Sequence, residues 1–150
     1  MSCDSCEIKN LIYQYADYID RGELRKVAAM FRDAKMIGVT SDGRENVSEG
    51  EHAIYENYRA YTRIYADNGT PHTKHVTTNV MVHVDNDGQS AKAQAYAIVF
   101  QMLEQFPLQP IIGVSYYDRF RKCGGKWQFA ERKIESQLFG DLSQHLLQPM

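Results

Sequence analysis

Apolar side chains recur at two spacings along the chain, every three or four residues in its first part and every second residue in its last part. Residues 7–21 have the first spacing, which predicts an amphipathic helix. Gly22 supplies a stop, so residues 23–31 are predicted to form a second, short helix. Residues 50–66 have helical character as well, and the turn-forming residues 67–71 end this third helix.

Alternation of apolar and polar residues predicts two β-hairpins in the second half of the chain. The first joins residues 72–85 to residues 89–104 through an Asn-Asp-Gly turn. The second joins residues 111–123 to residues 126–137 around a Gly-Gly pair. The last part of the chain is therefore expected to form an antiparallel sheet.

The order of these elements, helices before long antiparallel strands, is typical of an α+β fold rather than of alternating βαβ units. Residues 35–40 are predicted to add a short strand, and the polar residues 41–49 a loop. We expect one domain over residues 1–150, with its core over about residues 7–136 and a polar tail from about Gly140.

Composition and charge restrict the classes of function. With 150 residues, 43% of them hydrophobic and 24% charged, the chain is long enough to bury one substantial core. A net charge of −2 and a pI near 6.2 provide no basic field. We therefore expect neither nucleic acid nor an anionic membrane surface as a partner.

The sequence lacks the usual features of membrane-spanning and secreted proteins. No stretch approaches the roughly 20 apolar residues of a membrane span, and residues 1–5 lack the basic and apolar regions of a secretory signal. Three cysteines cannot all pair with one another, which agrees with a reducing compartment, and we expect a cytoplasmic protein. Cys3 and Cys6 form a CxxC motif, but no second pair completes a zinc site, so we expect no redox or metal function there.

Asp20 lies at the edge of the apolar row of the first predicted helix, in line with Ile12 and Ala16. A carboxylate there is only partly hydrated, so it needs a partner or a shifted pKa. The C-terminal end of a helix also disfavours negative charge, and a histidine that becomes cationic would stabilise Asp20. The alternative is a structural carboxylate that binds the following loop.

His75 lies in a predicted strand whose side chains separate into two faces. The first face carries His75, Thr77, Asn79, Met81 and His83, and the second carries Val76, Val80, Val82 and Val84. The polar face suits either solvent or the lining of a cavity, so His75 is a candidate site residue or a surface histidine. We expect the valine face to form a core layer or a buried interface.

Other titratable residues favour structural roles. His72 and His83 lie near strand ends, and their spacing from His75 does not form a metal clamp, so we expect no metal site. Asp118 and Arg132 are predicted to pair across the second hairpin, an arrangement that more often supports a sheet than performs catalysis.

The order of short motifs along the chain resembles the SnoaL-like families of the nuclear transport factor 2-like superfamily, over about residues 7–136. The motifs are Tyr-Ala-Asp-Tyr-Ile-Asp-Arg-Gly-Glu-Leu at residues 15–24 leading to Met30-Phe31, Gly50 before the third helix, His75-x-x-x-Asn79, Gly113-x-x-Tyr116-x-Asp118 and Gly125-x-Trp127-x-x-x-x-Arg132. The resemblance implies a cone-shaped, barrel-like α+β fold, with N-terminal helices packed in a strongly curved, mainly antiparallel sheet around a largely apolar pocket.

Within the superfamily the sequence looks most like the branch of scytalone dehydratase and bile-acid 7α-dehydratase, whose members use an Asp-His pair without a cofactor. The catalytic residues that this implies are Asp20, His75 and Tyr15. The implied substrate-binding or supporting residues are Asn79, Tyr96, Tyr116 and Arg132. The implied activity is a dehydratase-type elimination on a small cyclic or aromatic substrate activated by a carbonyl, with no cofactor and no metal.

The same superfamily contains other classes of protein, so the fold does not settle the reaction. The alternatives are a noncatalytic module for small-molecule binding or oligomerisation, and an isomerase or polyketide cyclase. The resemblance also implies a small hydrophobic molecule as partner and assembly as a homodimer or homotrimer.

Overall fold

The computed structural model describes residues 3–150, so Met1 and Ser2, part of the segment considered for a secretory signal, lie outside the described residues. The first half of the chain contains three helices: α1 at Asp4–Asp20, α2 at Leu24–Ala29 and, after two short strands, α3 at Glu51–Tyr61. Helix α3 ends before the predicted residue 66 because Thr62 is extended and forms a β-bridge with Leu146. No helix among the described residues has both the length and the apolar character needed to cross a membrane.

Six strands follow the first two helices. They are β1 at Lys35–Val39, β2 at Glu45–Glu49, β3 at Thr73–Val84, β4 at Ser90–Leu103, β5 at Phe106–Cys123 and β6 at Lys126–Phe139. The prediction of a loop over residues 41–49 is wrong in its second half, which is strand β2. Strand β2 pairs with β1 at the edge of the sheet and is exposed over most of its length, so no apolar alternation marks it in the sequence.

All six strands belong to one sheet, in the order β2-β1-β6-β5-β4-β3. Every neighbouring pair is antiparallel except β1 and β6, which are parallel. The sheet curves around the helices and stays open, because β2 and β3 are its two edges. The predicted α+β fold, a cone of N-terminal helices within a curved and mainly antiparallel sheet, is confirmed.

The core lies between the inner face of the sheet and the apolar row of α1. Alternate residues of β4 turn four alanines into this core: Ala91, Ala93, Ala95 and Ala97. Their small side chains leave room for larger residues from the helices and from β5 and β6. Phe129 packs against both Phe31 and Phe120 with ring centroids 4.6 Å apart in each pair. The apolar faces of the helices and of the sheet thus pack together in the interior.

Gly22 holds the end of α1 against the loop that precedes β3. Its φ is 75°, and a Cβ atom at this position would lie 2.0 Å from the carbonyl oxygen of Gly69. Glycine, which has no Cβ, can adopt this positive φ and can approach the Gly69 carbonyl without a clash. This close approach places the last turn of α1, and with it Asp20, beside the first residues of β3.

Strand β3 contains a β-bulge in the middle of the predicted two-faced pattern. The pairing register with β4 shifts between Thr78 and Met81, and Asn79 has a φ of 54°. Such a bulge places an extra residue in one strand, so the side chains beyond it point to the opposite face from the one that simple alternation gives.

The bulge corrects the prediction of a continuous valine face. Before the bulge His75 points into the cone, where its side chain is 8% exposed. Beyond the bulge, the residues that pack against the core are Val80, Val82 and Val84. Val76 lies on the outer face and is 45% exposed. Simple alternation through position 79 therefore predicts the wrong face of β3 for Val80, Val82 and Val84 relative to His75.

The polar tail folds back over one end of the sheet, and we name residues 142–147 the C-terminal segment. Leu146 forms the bridge with Thr62, and the N–H of Leu147 donates to the carbonyl of Tyr61 at 2.9 Å. Leu142 packs against an apolar cluster from β4 and β5: Val99, Phe106 and Ile111. The end of the chain therefore covers the sheet at the end where β3 begins.

Candidate active site

Asp20 and His75 meet inside the cone. Asp20 is the last residue of α1, and His75 is near the start of β3. Oδ1 of Asp20 lies 2.7 Å from Nδ1 of His75, and the two side chains are 9% and 8% exposed. The predicted contact between the helix-end carboxylate and the strand imidazole is therefore present in the fold.

Two further donors hold the Asp20 carboxylate in place. The backbone N–H of His75 donates to Oδ2 at 2.8 Å, and the hydroxyl of Thr73 donates to Oδ1 at 2.8 Å. Thr73 was missing from the predicted site, although it precedes His75 by two positions and therefore faces the same side of β3. A polar residue at this offset is the signal that could have identified it.

These contacts keep the Asp20 carboxyl ionised. Burial raises the pKa of the Asp20 carboxyl, but the hydrogen bond from His75 and the charge of His75 lower it, and the net pKa lies below the ordinary value. An ionised Asp20 accepts the proton on Nδ1 of His75 and so fixes the imidazole tautomer. Nε2 is then the nitrogen that can accept a proton from a substrate.

Tyr15 is buried and pairs with a second tyrosine rather than with Asp20. Its hydroxyl forms a hydrogen bond with the hydroxyl of Tyr58, which also lies 3.4 Å from the Met36 sulfur. Burial raises the pKa of both tyrosines, so both hydroxyls stay protonated. The sequence carries no signal that separates Tyr58 from the other aromatic residues of α3.

Arg132 and Asp118 form an ion pair beneath Tyr15. Nε and Nη2 of Arg132 donate to the two carboxylate oxygens of Asp118 at 2.8 Å each, and both side chains are 0% exposed. The guanidinium lies over the rings of Tyr15 and Tyr116, 4.3 and 3.8 Å from their centroids. The predicted pairing across the hairpin is confirmed, and it supports the floor of the cone.

Two of the predicted substrate-binding residues lie outside the cone. Tyr96 is 54% exposed on the outer face of β4, because the alanines occupy the inward positions of that strand. Asn79 is exposed at the bulge of β3. The expectation that Asn79 and Tyr96 line a pocket together with His75 is therefore corrected.

The remaining candidates have local contacts or face solvent. His72 Nε2 lies 2.9 Å from the Asp67 carboxylate, and the side chain of His83 is 77% exposed. Cys3 caps the start of α1, where its Sγ accepts the N–H of Cys6 at 3.2 Å. Among residues 3–150, no three or more His, Cys, Asp or Glu side chains are grouped so that they could hold a metal ion.

The C-terminal segment brings a second histidine, His145, to the dyad. The carbonyl of Gln144 accepts a hydrogen bond from Gln101 Nε2 at 3.1 Å, and Gln101 is the β-sheet partner of Thr73. Thr73 in turn binds Asp20. His145 therefore lies near the start of β3, although it belongs to the part of the chain that was predicted to be a polar tail.

His145 stays neutral under ordinary conditions. Burial lowers its pKa most, the charge of His75 lowers it as well, the charge of Asp20 opposes both effects, and the net pKa is about 4. Sequence reasoning missed this residue because the end of the chain is mostly polar. The apolar residues Leu142, Leu146 and Leu147 are the signal that this end packs against the domain.

Replacement of His145 by asparagine should make stability less dependent on pH. Folding depresses the pKa of His145 from 6.5 to about 4, so its contribution is complete above pH 6.5 and is lost as the pH falls towards 4. The difference corresponds to at most about 3 kcal/mol. Urea denaturation at about pH 7 and about pH 4.5 measures the loss. We expect a smaller loss in His145→Asn than in the wild type, and an equal loss would contradict the assignment.

Comparison with known proteins places the chain in a family. A family model described as the SnoaL-like domain matches residues 1–133. No curated protein sequence matches the chain at a significant level.

Several solved structures share the fold. A protein of unknown function with a cystatin-like fold from Nostoc punctiforme is 20% identical, with 91% of this chain and 93% of that chain covered and a TM-score of 0.71. A provisionally named scytalone dehydratase from Novosphingobium aromaticivorans is 17% identical, with 90% and 85% covered and a TM-score of 0.68. The β subunit of a provisionally named aromatic-ring-hydroxylating dioxygenase from the same organism is 15% identical, with 94% of each chain covered and a TM-score of 0.72.

Structural similarity at identities this low establishes the fold and leaves the reaction open. The family model, in contrast, covers most of the chain. The chain therefore belongs to the SnoaL-like domain family and has the nuclear transport factor 2-like fold.

Proposed function

We propose that the protein is a cofactor-independent lyase that catalyses a dehydratase-type elimination on a small cyclic or aromatic substrate activated by a carbonyl group. The observation that carries the proposal is the hydrogen bond of 2.7 Å between Asp20 and His75 in an almost completely buried setting. A carboxylate that fixes the tautomer of an imidazole and stabilises the imidazolium is a recurring arrangement for a general base.

In the proposed reaction His75 Nε2 takes the proton from the carbon next to the substrate carbonyl. The electron pair of the broken C–H bond forms an enolate, which then forms the C=C bond as the C–O bond of the β-hydroxyl group breaks. The His75 imidazolium returns its proton to the departing oxygen, and water is released. Asp20 stabilises the imidazolium, because the attraction between its negative charge and the ring is strongest when the imidazole is protonated.

Tyr15 is proposed to donate a hydrogen bond to the enolate oxygen. When Tyr58 donates its proton to Tyr15 instead of to the weakly accepting Met36 sulfur, the proton of Tyr15 becomes free for the substrate. Both hydroxyls are kept protonated by burial, which a hydrogen-bond donor requires. Arg132 holds the Tyr15 ring from below and so acts as a positioning residue.

The buried setting favours an activated substrate of modest size. A positioned acid-base group supplies about 10² to 10⁴ in rate, which suits a C–H bond already acidified by a carbonyl. Incubation with a panel of cyclic β-hydroxy ketones tests the proposal by the appearance of the conjugated enone. Product formation that requires Asp20 and His75 supports it, whereas conversion of none of the panel contradicts it.

The main alternative, a noncatalytic oligomerisation or binding module, is favoured by the outer face of the sheet. We define the outer apolar row as Val76, Ile98, Gly113 and Leu138, which are successive partners across β3, β4, β5 and β6. Its three large members are 45%, 39% and 68% exposed in the single chain. A cleft of about 470 Å³ opens elsewhere on the outer face, and neither Asp20 nor His75 lines it. Exposed apolar rows of this kind commonly mark protein interfaces.

Assembly as a homodimer or homotrimer through the outer apolar row predicts that a charge in its centre disrupts the oligomer. Ile98→Lys should weaken self-association by at least about tenfold, because the ammonium group would lose its water in the interface. The matched control is Tyr13→Lys on α1, a residue that is 46% exposed and away from the sheet. Sedimentation velocity measures the self-association of both variants and of the wild type. A wild-type monomer or an unchanged Ile98→Lys oligomer would exclude this interface.

A further inference from the structure

The C-terminal segment closes the cone at the end where Asp20 and His75 meet. Its backbone is held by Arg63, whose N–H donates to the His145 carbonyl at 2.9 Å and whose Nη2 donates to the Leu146 carbonyl at 3.2 Å. Tyr65 donates its hydroxyl hydrogen to the Gln144 carbonyl at 2.6 Å. The segment therefore has a defined position over the site, although it contains no regular secondary structure.

Buried polar atoms without partners belong to residues that form this segment or bind it. Four such side-chain atoms occur in residues 3–150, and three of them belong to Arg63, Gln101 and His145. Arg63 and Gln101 both bind carbonyl groups of the segment, and His145 is part of it. A buried polar atom without a hydrogen bond is costly, so these three atoms need polar partners, which a bound polar ligand can supply.

The chemistry of the cluster specifies the kind of polar group. Gln101 Nε2 donates to two carbonyl oxygens, those of Pro71 at 3.0 Å and Gln144 at 3.1 Å. Both partners accept hydrogen bonds only, so this end of the amide must be the nitrogen, and the unpartnered end is the Oε1 acceptor. A ligand that satisfies Oε1 must donate a hydrogen, which a hydroxyl group does and a carbonyl group does not.

His145 supplies the complementary contact. Its Nδ1 is buried and has no partner among residues 3–150. A neutral imidazole can place a hydrogen on either ring nitrogen, so Nδ1 can donate to an oxygen. A hydroxyl group that donates to Gln101 and accepts from His145 would satisfy both atoms at once.

We propose that His145 and Gln101 form a subsite that binds the β-hydroxyl group of the substrate, the group that leaves in the elimination. The proposal rests on the proposed function for the identity of this hydroxyl as the leaving group. The two residues hold the oxygen close to His75, which returns the proton that converts it to water, while His145 remains neutral. The C-terminal segment thus determines which hydroxy ketones are accepted.

The test compares the binding of two ketones that differ in the hydroxyl group alone. A β-hydroxycyclohexanone and cyclohexanone are titrated into the Asp20→Asn protein by NMR, since this substitution is expected to slow turnover by about 10² to 10⁴. Adding His145→Ala should weaken binding of the hydroxy ketone about tenfold and that of cyclohexanone less than about twofold. His145→Asn, which keeps a hydrogen-bonding amide, should recover part of the loss. His83→Ala is the control, because that side chain is exposed.

The outcomes separate this subsite from the proposed reaction. Equal losses for both ketones, no loss for either, or no binding of the hydroxy ketone before His145 is changed would overturn the subsite. Amide signals of Gln144 and Leu146 that remain in their wild-type positions show that the segment stays folded in the variants. If the wild-type protein binds the hydroxy ketone with the expected discrimination and does not convert it, the elimination fails and the subsite stands.

Discussion

Replacement of His75 by alanine should lower the rate of elimination by about 10² to 10⁴ while the fold survives. The imidazole is the proposed proton acceptor, and among the described residues no other histidine forms a hydrogen bond with Asp20. Loss of the ring leaves a cavity, so a destabilisation of about 2 kcal/mol is expected as well. Steady-state rates on the best substrate of the hydroxy ketone panel measure the effect, with circular dichroism as the check on folding.

Asp20→Asn tests the same dyad with a substitution of nearly equal size. Asparagine presents one acceptor oxygen in place of two, so it cannot accept all three hydrogen bonds that Asp20 receives. The tautomer and the imidazolium both lose their support, and we expect a loss of rate similar to that of His75→Ala. His83→Ala is the matched control and should keep the full rate. A rate within about threefold of the wild type for either dyad variant would contradict the assignment.

Arg132→Met should be the most destabilising single substitution among those considered, by about 3–5 kcal/mol. It removes the partner of a carboxylate that is 0% exposed and leaves Asp118 without a counter-charge in the interior. It also removes the guanidinium that packs over Tyr15 and Tyr116. The free energy of unfolding from urea denaturation is the appropriate measurement, provided that the slope of the transition is unchanged.

The double variant Asp118→Asn with Arg132→Met separates the lost charge pair from lost packing. Without the carboxylate no unpaired charge is buried, so the double variant should be more stable than Arg132→Met alone. The outer pair of Lys133 and Glu45, which is partly exposed, is the control, and Lys133→Met should cost less than about 1 kcal/mol. A cost below about 1 kcal/mol for Arg132→Met would show that the buried pair does not support the cone.

The fold could be predicted from the sequence where periodicity is strong. Helix α1 and the four long strands carry apolar repeats over many residues, and all of them are present. Strand β2 could not be predicted, because Val47 is its one large apolar residue and that residue is 53% exposed. Its place in the sheet depends on backbone pairing with β1, which leaves no pattern in the side chains.

The candidate site could be predicted only in part, for similar physical reasons. Asp20 and His75 were identifiable because Asp20 lies at the edge of an apolar helix row, His75 lies on the polar face of a strand, and the order of motifs joins them. Asn79 was misplaced because a bulge at this residue changes the direction of the side chains. His145 depends on a segment without secondary structure, whose position is set by contacts to residues more than 40 positions away. Local patterns carry no record of such contacts.

Deuterium uptake by a ketone from heavy water is the most direct test of the central proposal. The proposal is that the Asp20–His75 pair removes a proton from a carbon next to a carbonyl. The protein is incubated in heavy water with a cyclic ketone that lacks a leaving group, and NMR follows the loss of the α-hydrogen signal. This measurement reports proton abstraction whether the full reaction is an elimination, an isomerisation or a cyclisation. We predict that exchange is catalysed by the wild-type protein and slowed by about 10² or more in His75→Ala and Asp20→Asn. Exchange at the uncatalysed rate in the wild-type protein, or equal exchange in the three proteins, would contradict the catalytic role of the pair.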